Sequence, residues 1–575
     1  MSGLLLLKKE SSAKLRIESA KEAFENKSYK LESRAYSIGE FDLIYYSDYF
    51  DSMTKVLTSL SGNFLCYCGL LIYNGKTGVS ALGDIESDLA NGKKIETLKL
   101  KGTFLLVVYF DQQVFFVRDL FGGYGCFMDD SQTWITTNFL AAVKLRGKVE
   151  FRKQELMENI FFNMEFGNQT VVEGITVPRG TRVYNLSKKS DSKRDFKIPE
   201  LEFSLVKCID FNFEALAEEF RDYQRIFGDR ITSALSGGFD SRLVLASMRR
   251  AGISPSLYVY GADNDPDVLV AKKVCNGEGI SLKHTNREVK ETSEIDQIAA
   301  AIFQNMWDFD GGNNLFTPSN ELGTRMERAQ NGFLVLNGAG GEIYRDMWKW
   351  DFRKTTISRL FKNSYDTGEL DIFNINVNDF FDEIAEKIRF QAEDFVGLGQ
   401  SIERQQAENL FLIYRSNFYF QGNIINNYLG DATLPYLSEN IALASFSVPY
   451  KFKRAGRFEA ELIKKMDKKI ASYPSEYGFS FLDGPNLKSV FQEWVYSQLS
   501  PELKATIKRS TSKSKKSVFR KSSSDNPYVR DNIFRLLMRG NQSSVMESIS
   551  NLSIVKNQNT MNRIYSLSLL ENINH

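Results

Sequence analysis

The segment at residues 231–250 constrains the fold of this chain more than any other. An apolar run leads into the turn Ser236-Gly237-Gly238, and a helical pattern follows the turn. Paired glycines let the backbone approach a bound group closely, and a helix N-terminus presents free N–H groups and the positive end of its dipole. The segment therefore predicts a strand, a tight turn and a helix that together bind an anion.

The other side chains of this turn indicate a phosphate. Ser236 and Ser241 can donate hydroxyl hydrogen bonds to phosphate oxygens. Asp240 is an acid beside the expected phosphates, an arrangement that favours a divalent cation between them, with Mg²⁺ the natural candidate. The lysine of the GxxxxGK[ST] loop is missing, so the chain is not a P-loop NTPase that transfers the γ-phosphoryl group.

Strand-like and helix-like segments alternate from residue 231 onward. Alternation at this spacing is typical of parallel βαβ units in an open α/β sheet. The predicted strands are 231–235, 257–260 and 280–284, and the predicted helices between them are 242–250 and 266–275. Beyond about residue 370, mixed stretches at 380–395 and 403–419 favour packed helices.

The first third of the chain has a different pattern. Its apolar runs are short and rich in β-branched and aromatic residues, which favours a mainly antiparallel sheet with a hairpin turn at 111–113. The predicted strands are 41–46, 64–73, 102–110 and 114–118. The fold class is therefore α/β overall, with an α+β sandwich followed by a parallel-sheet domain that has a helical C-terminal part.

A change of composition predicts the domain boundary. The stretch 187–197 is polar and charged and leads to Pro199. With 575 residues, two or more domains are expected. We predict a first domain at 1–190, a second at 200–500, and a basic, Ser-rich segment with a C-terminal tail at 501–575.

Charge and hydropathy exclude several partners. Lys plus Arg (73) nearly cancels Asp plus Glu (72), so no global field attracts nucleic acid or a membrane surface. The leucine run at 4–7 is too short for a signal peptide or a membrane span, which favours a cytoplasmic protein. The basic tract at 504–524 is expected to be a solvated loop; the alternatives are a lid that faces phosphate or a contact with an anionic partner.

Cysteine and histidine usage points away from redox and histidine chemistry. Five scattered cysteines argue for reduced thiols, and Cys66 and Cys68 lie in an apolar run that predicts a buried strand and no metal site. The chain has two histidines, His284 and His575. His284 is expected at a strand end, so acid–base catalysis by histidine is nearly excluded.

These residues carry a family resemblance. The run at 236–241 resembles the SGGxDS pyrophosphate-binding loop of the N-type ATP pyrophosphatases, and the chain as a whole resembles the asparagine synthetase family. Five further segments resemble that family in its order: 102–111 with 118–122 and 174–186 in its glutaminase domain, and 258–261, 267–271 and 336–342 in its synthetase domain.

The resemblance implies a fold and a site. The first domain would be of the Ntn-hydrolase glutaminase type and the second of the adenine-nucleotide α-hydrolase type. ATP would lie across two glycine loops, with Mg²⁺ held by Asp240 and Glu342, and the catalytic residues would be Asp240, Glu342 and Arg345. The implied nucleotide-binding residues are Ser236, Gly237, Gly238, Asp240, Ser241, Tyr260, Gly261, Asn337, Gly338, Gly340 and Gly341.

The glutaminase part departs from the family pattern. Ser2 stands where relatives that hydrolyse glutamine have a cysteine, and a hydroxyl is a far weaker nucleophile than a thiolate near neutral pH. The motif that cradles glutamine has only a remnant, Asn74-Gly75-Lys76, with lysine in place of the acid. We therefore expect this domain to be inactive as a glutaminase.

The synthetase part departs as well. Ala339 occupies the position where relatives place a residue that helps to deprotonate the amine, and Glu342 replaces the usual aspartate. The stretch at 474–479 resembles the one that carries a phosphate-contacting lysine, but Glu476 stands there. We expect Arg345 to substitute for this lysine. Three other basic residues are weaker candidates: Lys272, Lys273 and Arg242.

The expected function is an ATP-dependent amide ligase. It would adenylate a small-molecule or peptide carboxylate, release pyrophosphate and transfer the acyl group to ammonia or another amine donor. One alternative is a ligase that closes a ring within its substrate, like β-lactam synthetases or lasso-peptide cyclases. Another is a non-catalytic protein that binds ATP, which Ala339 and Glu476 motivate. The expected partners include no nucleic acid and no membrane, and a homodimer is compatible with the sequence.

Overall fold

The computed structural model describes the chain at residues 3–50, 53–286, 295–311, 321–330, 333–365, 367–485 and 487–499, and at 503–504, 535, 543–549, 552, 555, 558–571 and 573. Three sequence-based predictions lie outside these residues: the one on Ser2, the one on His575 and, apart from Lys504, the one on the basic tract.

The described residues form the following strands and helices. The strands are β1 (Gly3–Lys8), β2 (Ser33–Ile38), β3 (Phe41–Tyr46), β4 (Val56–Thr58), β5 (Phe64–Ile72), β6 (Lys101–Phe110), β7 (Gln113–Arg118), β8 (Phe127–Asp129), β9 (Trp134–Thr136), β10 (Ile175–Thr176), β11 (Arg182–Asn185), β12 (Ser190–Lys193), β13 (Ile231–Ala234), β14 (Ser256–Tyr260), β15 (Leu282–Thr285), β16 (Leu334–Leu336), β17 (Lys354–Thr355), β18 (Ile402–Glu403) and β19 (Ala432–Thr433). The α-helices are α1 (Ile17–Glu25), α2 (Gly78–Ala90), α3 (Phe139–Arg146), α4 (Lys153–Phe162), α5 (Leu205–Phe227), α6 (Phe239–Arg250), α7 (Pro266–Glu278), α8 (Ile295–Asp308), α9 (Glu321–Ala329), α10 (Ile357–Ser364), α11 (Val377–Ala392), α12 (Arg404–Ile413), α13 (Ile424–Leu429), α14 (Glu439–Phe446), α15 (Tyr450–Lys453), α16 (Arg457–Met466), α17 (Lys468–Ser472), α18 (Leu487–Gln498), α19 (Ser544–Glu547) and α20 (Gln558–Glu571).

The N-terminal part is a sandwich of two antiparallel sheets. Their strand orders are β10-β8-β9-β1-β3-β2 and β12-β11-β7-β6-β5-β4. The leucine run explains the layering, because successive side chains of a strand point to opposite faces. Leu4 and Leu6 lie in the core between the sheets, whereas Leu5 and Leu7 belong to the core that includes α1. Helix α2 packs on the outer face of the second sheet.

The predicted strands of this part agree closely with the structure. The hairpin turn consists of Asp111 and Gln112, both in the left-handed region with φ of 48° and 57°, and Gln113 already belongs to β7. This backbone matches the twist of a two-residue hairpin. Cys66 and Cys68 are buried in β5, as predicted.

The second part contains a parallel sheet in the order β15-β14-β13-β16-β19. The chain leaves the central β13 for β14 and β15 on one side and then adds β16 and β19 on the other. Open α/β sheets bind ligands where the strand order reverses in this way, outside the carboxyl ends of the strands. The predicted fold class and the predicted alternation of strands and helices are confirmed, and His284 lies in the edge strand β15.

Two helices beyond residue 370 differ from their predicted bounds. Helix α11 covers Val377–Ala392 and α12 covers Arg404–Ile413, so the stretch predicted to run to 419 is helical only in its first part. Asn417 has a φ of 78°, which an α-helix does not accommodate. No helix among the described residues is both long enough and apolar enough to cross a bilayer.

Buried ion pairs join the two parts of the chain. Lys55 Nζ lies 2.9 Å from both Asp48 Oδ2 and Asp431 Oδ1, and all three side chains are almost fully buried. Although burial disfavours the charged lysine, Asp431 and Asp48 raise its pKa. Near the C-terminus, α20 packs on α4 of the N-terminal part. The predicted domain boundaries stay a prediction.

We expect Lys55→Met to lower the free energy of unfolding by about 3–5 kcal/mol, because two buried carboxylates would lose the ammonium group that pairs with both of them. Chemical denaturation measures the change. The control is Lys76→Met, which removes an exposed pair with Asp84 (2.9 Å) and should cost less than about 1 kcal/mol. Equal effects of the two substitutions would contradict the structural role of Lys55.

Candidate active site

The first glycine loop, residues 235–238, joins the central strand β13 to helix α6. Two hydrogen bonds to serine hydroxyl groups stabilise the loop. Ser236 N–H donates to Oγ of Ser241 in α6 (2.9 Å), and Gly238 N–H donates to Ser236 Oγ (3.3 Å). Gly238 is the N-cap of α6 and has no side-chain capping bond. The first turn of α6 therefore points its backbone N–H groups toward the space beyond the loop.

The second glycine loop, residues 337–341, follows β16. Because β13 and β16 are neighbouring parallel strands, both loops lie at the same edge of the sheet. Asn337 Oδ1 accepts a hydrogen bond from Ala339 N–H (2.9 Å), and Gly340 has a φ of 93°. A Cβ added at Gly341 would lie 2.6 Å from Asp240 Cγ. The two loops are therefore in direct contact through Asp240 and Gly341.

A guanidinium lies between two carboxylates at this contact. Arg345 Nη2 donates to Asp240 Oδ1 and Oδ2, both at 2.8 Å. On its other side, Arg345 Nε is 3.2 Å from Oε2 of Glu459, which is fully buried. The Phe239 ring lies 5.8 Å from the guanidinium carbon. Three contacts thus fix the Arg345 side chain.

The pKa values at this contact reflect burial and crowding of acids. Burial raises the pKa of Asp240 to about 6, with Arg345 opposing the rise and Glu342 adding to it. Burial and the neighbouring Asp240 raise the pKa of Glu459 well above its usual range. Although burial favours the neutral guanidinium, Glu459 and Asp240 raise the pKa of Arg345. The Arg345 guanidinium therefore stays positively charged in this cluster.

Glu459 is a residue that the sequence analysis missed. It belongs to α16, between the buried Phe458 and Ala460 and on a helix whose Leu462 and Ile463 are also buried. An acid that is fully buried in a helix needs a partner. An acid among apolar positions of a helix was therefore the sequence signal for Glu459. Its partner Arg345 is 114 residues away in sequence, and only the fold brings the two side chains together.

The segment at 474–479 lies against the first loop. Glu476 N–H donates to Gly237 O (3.2 Å), and a Cβ at Gly238 would lie 3.2 Å from Glu476 Oε1. Tyr477 packs its ring 4.8 Å from that of Phe239. A second acid, Asp267 of α7, accepts a hydrogen bond from Gly237 N–H (2.8 Å). Two carboxylates therefore approach the loop that was predicted to bind phosphate.

Tyr260 and Gly261 lie at the carboxyl end of β14, next to the strand that carries the first loop. Gly261 has a φ of 139°, and its carbonyl oxygen is 2.8 Å from His284 Nε2. Arg328 of α9 covers this end, with its guanidinium carbon 4.5 Å from the Tyr258 ring and 5.4 Å from the Tyr260 ring. The described residues thus give this end of the site an aromatic and cationic wall.

The four basic residues that could replace the missing lysine have different surroundings in the structure. Arg345 reaches Asp240, but Arg242 is buried and its guanidinium donates to the carbonyl oxygens of Ile470 and Pro474 (both 3.1 Å). Lys272 pairs with the exposed Asp263 (2.9 Å), and Lys273 is exposed. Arg242 is thus a structural residue that holds the 474–479 segment, and only Arg345 of the four contacts the predicted site.

The predicted metal ligands are not arranged as a metal site. Both oxygens of Asp240 accept hydrogen bonds from Arg345, and Glu342 is half-buried nearby. Within the described ranges, no group of three or more His, Cys, Asp or Glu side chains could hold a metal ion. The residues in this conformation therefore do not fit a Mg²⁺ ion held by the protein, and Mg²⁺ stays a prediction.

The remnant of the glutamine motif contacts an arginine at Gly75. Asn74 has a φ of 48°, and Lys76 pairs with Asp84 (2.9 Å). A Cβ added at Gly75 would collide with the guanidinium of Arg225, which belongs to α5 of the second part. The turn is therefore packed against another segment of the chain and not open toward a ligand at Gly75.

Known proteins give little guidance for this chain. No protein-family model and no curated protein matches its sequence. Its structure is similar to that of an allosteric regulatory enzyme of purine biosynthesis, at 9% identity and a TM-score of 0.21, over 63% of this chain and 77% of that one. It is also similar to glutamine-dependent NAD⁺ synthetase from Acinetobacter baumannii in complex with ADP, at 15% identity and a TM-score of 0.16, over 42% of this chain and 48% of that one. The match thus spans about half the length of that synthetase, and at these TM-scores neither similarity bears on the activity of this chain.

We expect Gly341→Ala to disturb the loop contact and Gly338→Ala to leave it intact. A Cβ at 341 would meet Asp240 Cγ at 2.6 Å, whereas a Cβ at 338 would meet its nearest atoms at 3.6 Å, an ordinary contact. Overpacking of this kind costs about 1–3 kcal/mol. Thermal melting of the two variants measures the difference, and equal melting temperatures would show that the Asp240 to Gly341 contact is absent in solution.

We expect the melting temperature of Asp240→Asn, relative to the wild type, to increase between about pH 4 and about pH 6. The pKa of Asp240 is about 6 in the folded chain and about 3.9 in an unfolded one. The folded state therefore binds this proton more tightly, and the stability due to this group falls as the pH rises through that window. Calorimetry across the window tests this.

A control variant should give the opposite sign. The pKa of the exposed Asp263 is lowered, chiefly by its hydrogen bond with Lys272. Asp263→Asn therefore loses stability relative to the wild type as the pH rises. A constant difference for Asp240→Asn over the whole window would refute its raised pKa.

Proposed function

We propose that this protein is an ATP-dependent amide-forming ligase of the asparagine synthase type. The observation that carries the proposal is the contact of two glycine loops at the carboxyl ends of neighbouring parallel strands, where the strand order of the sheet reverses. The first of these loops has the sequence Ser236-Gly237-Gly238-Phe239-Asp240-Ser241 and opens a helix. This combination suits the phosphates of a nucleotide.

ATP would lie along this edge of the sheet. Its phosphates would approach the start of α6, where the backbone N–H groups and the helix dipole favour an anion. Its adenine would lie toward Tyr260 and Gly261, beside the aromatic and cationic wall that Arg328 forms with two tyrosines. The second loop would border the nucleotide through Asn337, Gly338, Gly340 and Gly341.

The reaction would begin with adenylation. A carboxylate oxygen of the substrate attacks the α-phosphorus, the bond from that phosphorus to the bridging oxygen breaks, and pyrophosphate leaves with the electron pair. The nitrogen of an amine then attacks the acyl carbon, AMP leaves and the amine loses a proton. The guanidinium of Arg345 is held in place to stabilise charge on the phosphates, and such preorganised charges commonly supply the largest part of catalysis.

Magnesium is the part of the sequence-based prediction that the geometry supports least. Asp240 would have to give up its hydrogen bonds with Arg345 before it could bind a metal. Glu342 alone would be a single ligand.

A ring-forming ligase is the second candidate. The turn at Gly75 is packed against Arg225, which supports a source of nitrogen other than glutamine held at this turn. An amine within the substrate would meet this condition, and so would free ammonia. Both versions share the adenylation step, so the residues of the two loops have the same roles in each.

A non-catalytic protein that binds nucleotide is the third candidate. Ala339 supplies no proton acceptor, and Glu476 brings a carboxylate to the loop where a lysine was expected. Exchange of labelled pyrophosphate into ATP, dependent on a carboxylate, separates the ligases from this candidate. If no carboxylate in a broad panel supports exchange while ATP still binds, the protein is not a ligase.

Asp240→Ala should abolish pyrophosphate exchange. The substitution releases Arg345 from the first loop and leaves its contact with Glu459, so the guanidinium no longer faces the phosphates. Asp263→Ala, an acid-to-alanine change at an exposed position, is the matched control and should exchange at the wild-type rate. Equal exchange by both variants would remove Asp240 from the mechanism.

The amine donor is tested separately. We expect ammonia or a tethered amine, and not glutamine, to yield the amide product, since Ser2 is a weak nucleophile. Formation of glutamate from glutamine would show that the N-terminal domain is an active glutaminase.

A further inference from the structure

We propose that the guanidinium of Arg345 occupies the cation position beside Asp240, so that the protein binds its nucleotide phosphates without a divalent cation. The inference rests on the proposed function, because it concerns the same two loops. It departs from the Mg²⁺ site that the sequence predicts, and four features of the cluster carry it.

The first feature is the crowding of the Asp240 carboxylate. Both oxygens accept hydrogen bonds from Arg345 Nη2. Its Oδ1 also lies so near the backbone of Gly341 that a methyl group would not fit there. A Mg²⁺ ion needs oxygen ligands at about 2.1 Å in a near-octahedral arrangement. The guanidinium and the backbone of Gly341 therefore occupy two of the directions from which an ion could approach Oδ1.

The second feature is the anchor of Arg345. Its Nε is 3.2 Å from the carboxylate of Glu459, which has no exposed surface, and its side chain is only 19% exposed. Removing one partner of a buried ion pair is strongly destabilising, because the other group stays buried without it. A guanidinium that left Asp240 would either keep its contact with Glu459 or break the ion pair of this fully buried acid. Glu459 therefore holds the positive charge beside Asp240.

The third feature is the unused donor of the guanidinium. A guanidinium carries five N–H donors in a planar fork that matches phosphate oxygens. Nη2 donates to Asp240, and Nε forms an ion pair with Glu459 that lacks hydrogen-bond geometry. Nη1 makes no hydrogen bond within the described part of the chain. Arg345 can therefore contact Asp240 and a phosphate oxygen at the same time, as a bridging metal ion would.

The fourth feature is the placement of the remaining acids. Asp267 already accepts a hydrogen bond from Gly237 N–H, and Glu476 is exposed to solvent, which screens its repulsion of a phosphate. Among the described residues these acids do not assemble with Asp240 into a group that could hold a metal ion. Arg345 is thus the cation that the fold supplies at this place.

The test is the affinity of the full-length protein for ATP, measured by calorimetry in excess EDTA and in excess Mg²⁺. For the wild type, we expect the two dissociation constants to agree within about threefold, because the cation is part of the protein. For Arg345→Gln, we expect binding in EDTA to weaken by about tenfold or more, the loss of one charge-assisted hydrogen bond. Mg²⁺ should restore part of that loss, since Asp240 is then released. Arg34→Gln, which removes an exposed arginine from the edge strand β2, should behave like the wild type.

The outcomes separate this inference from the proposed function. Wild-type binding that weakens tenfold or more in EDTA overturns the inference and leaves a nucleotide-binding ligase in place. The same holds if Arg345→Gln binds ATP in EDTA as tightly as the wild type does. If the wild type binds ATP in neither buffer, the proposed function itself fails. A thermal melt of each variant shows that it is folded.

Discussion

The contact of one guanidinium with two carboxylates organises the centre of this molecule. Arg345 follows the second glycine loop, Asp240 lies in the first turn of α6 after the first loop, and Glu459 lies on α16. Glu459 depends most on this pairing, because it is fully buried and a buried polar group without a partner is costly. The pairing therefore ties together three segments that lie far apart along the chain, and it places a positive charge at the junction of the two loops.

This arrangement depends in turn on the order of the strands. The loops meet only because β16 pairs directly with β13, so that their carboxyl ends lie side by side. Gly341 has to be glycine at that junction, since any side chain would enter the space of Asp240. The N-terminal part is joined to this sheet by a buried ion pair. Lys55 pairs with Asp431, which immediately precedes the edge strand β19.

Local patterns predicted the elements well where one physical rule acted alone. Four consecutive leucines in a strand must place pairs on both faces, and Leu4 to Leu7 do so between two layers. The turn after β13 and the start of α6 followed from the paired glycines. Where a side chain had two plausible environments, only the fold decided between them. Arg242 is adjacent to the SGGFDS motif in sequence, yet the rotation of α6 directs it away from the loop, toward the carbonyl groups of residues 470 and 474.

The sequence by itself determined the strand, the glycine turn and the helix at 231–250, the alternating segments that form a parallel sheet, and the antiparallel character of the first third. These follow from short-range periodicity and from the backbone freedom of glycine, which are encoded within a few residues. Only the tertiary structure decided which charge meets Asp240. Its partner Arg345 lies 105 residues away, and Glu459 is farther still, so their encounter depends on strand order and helix packing. Burial then sets the cost of each unpaired charge, and no local pattern in the sequence records that cost.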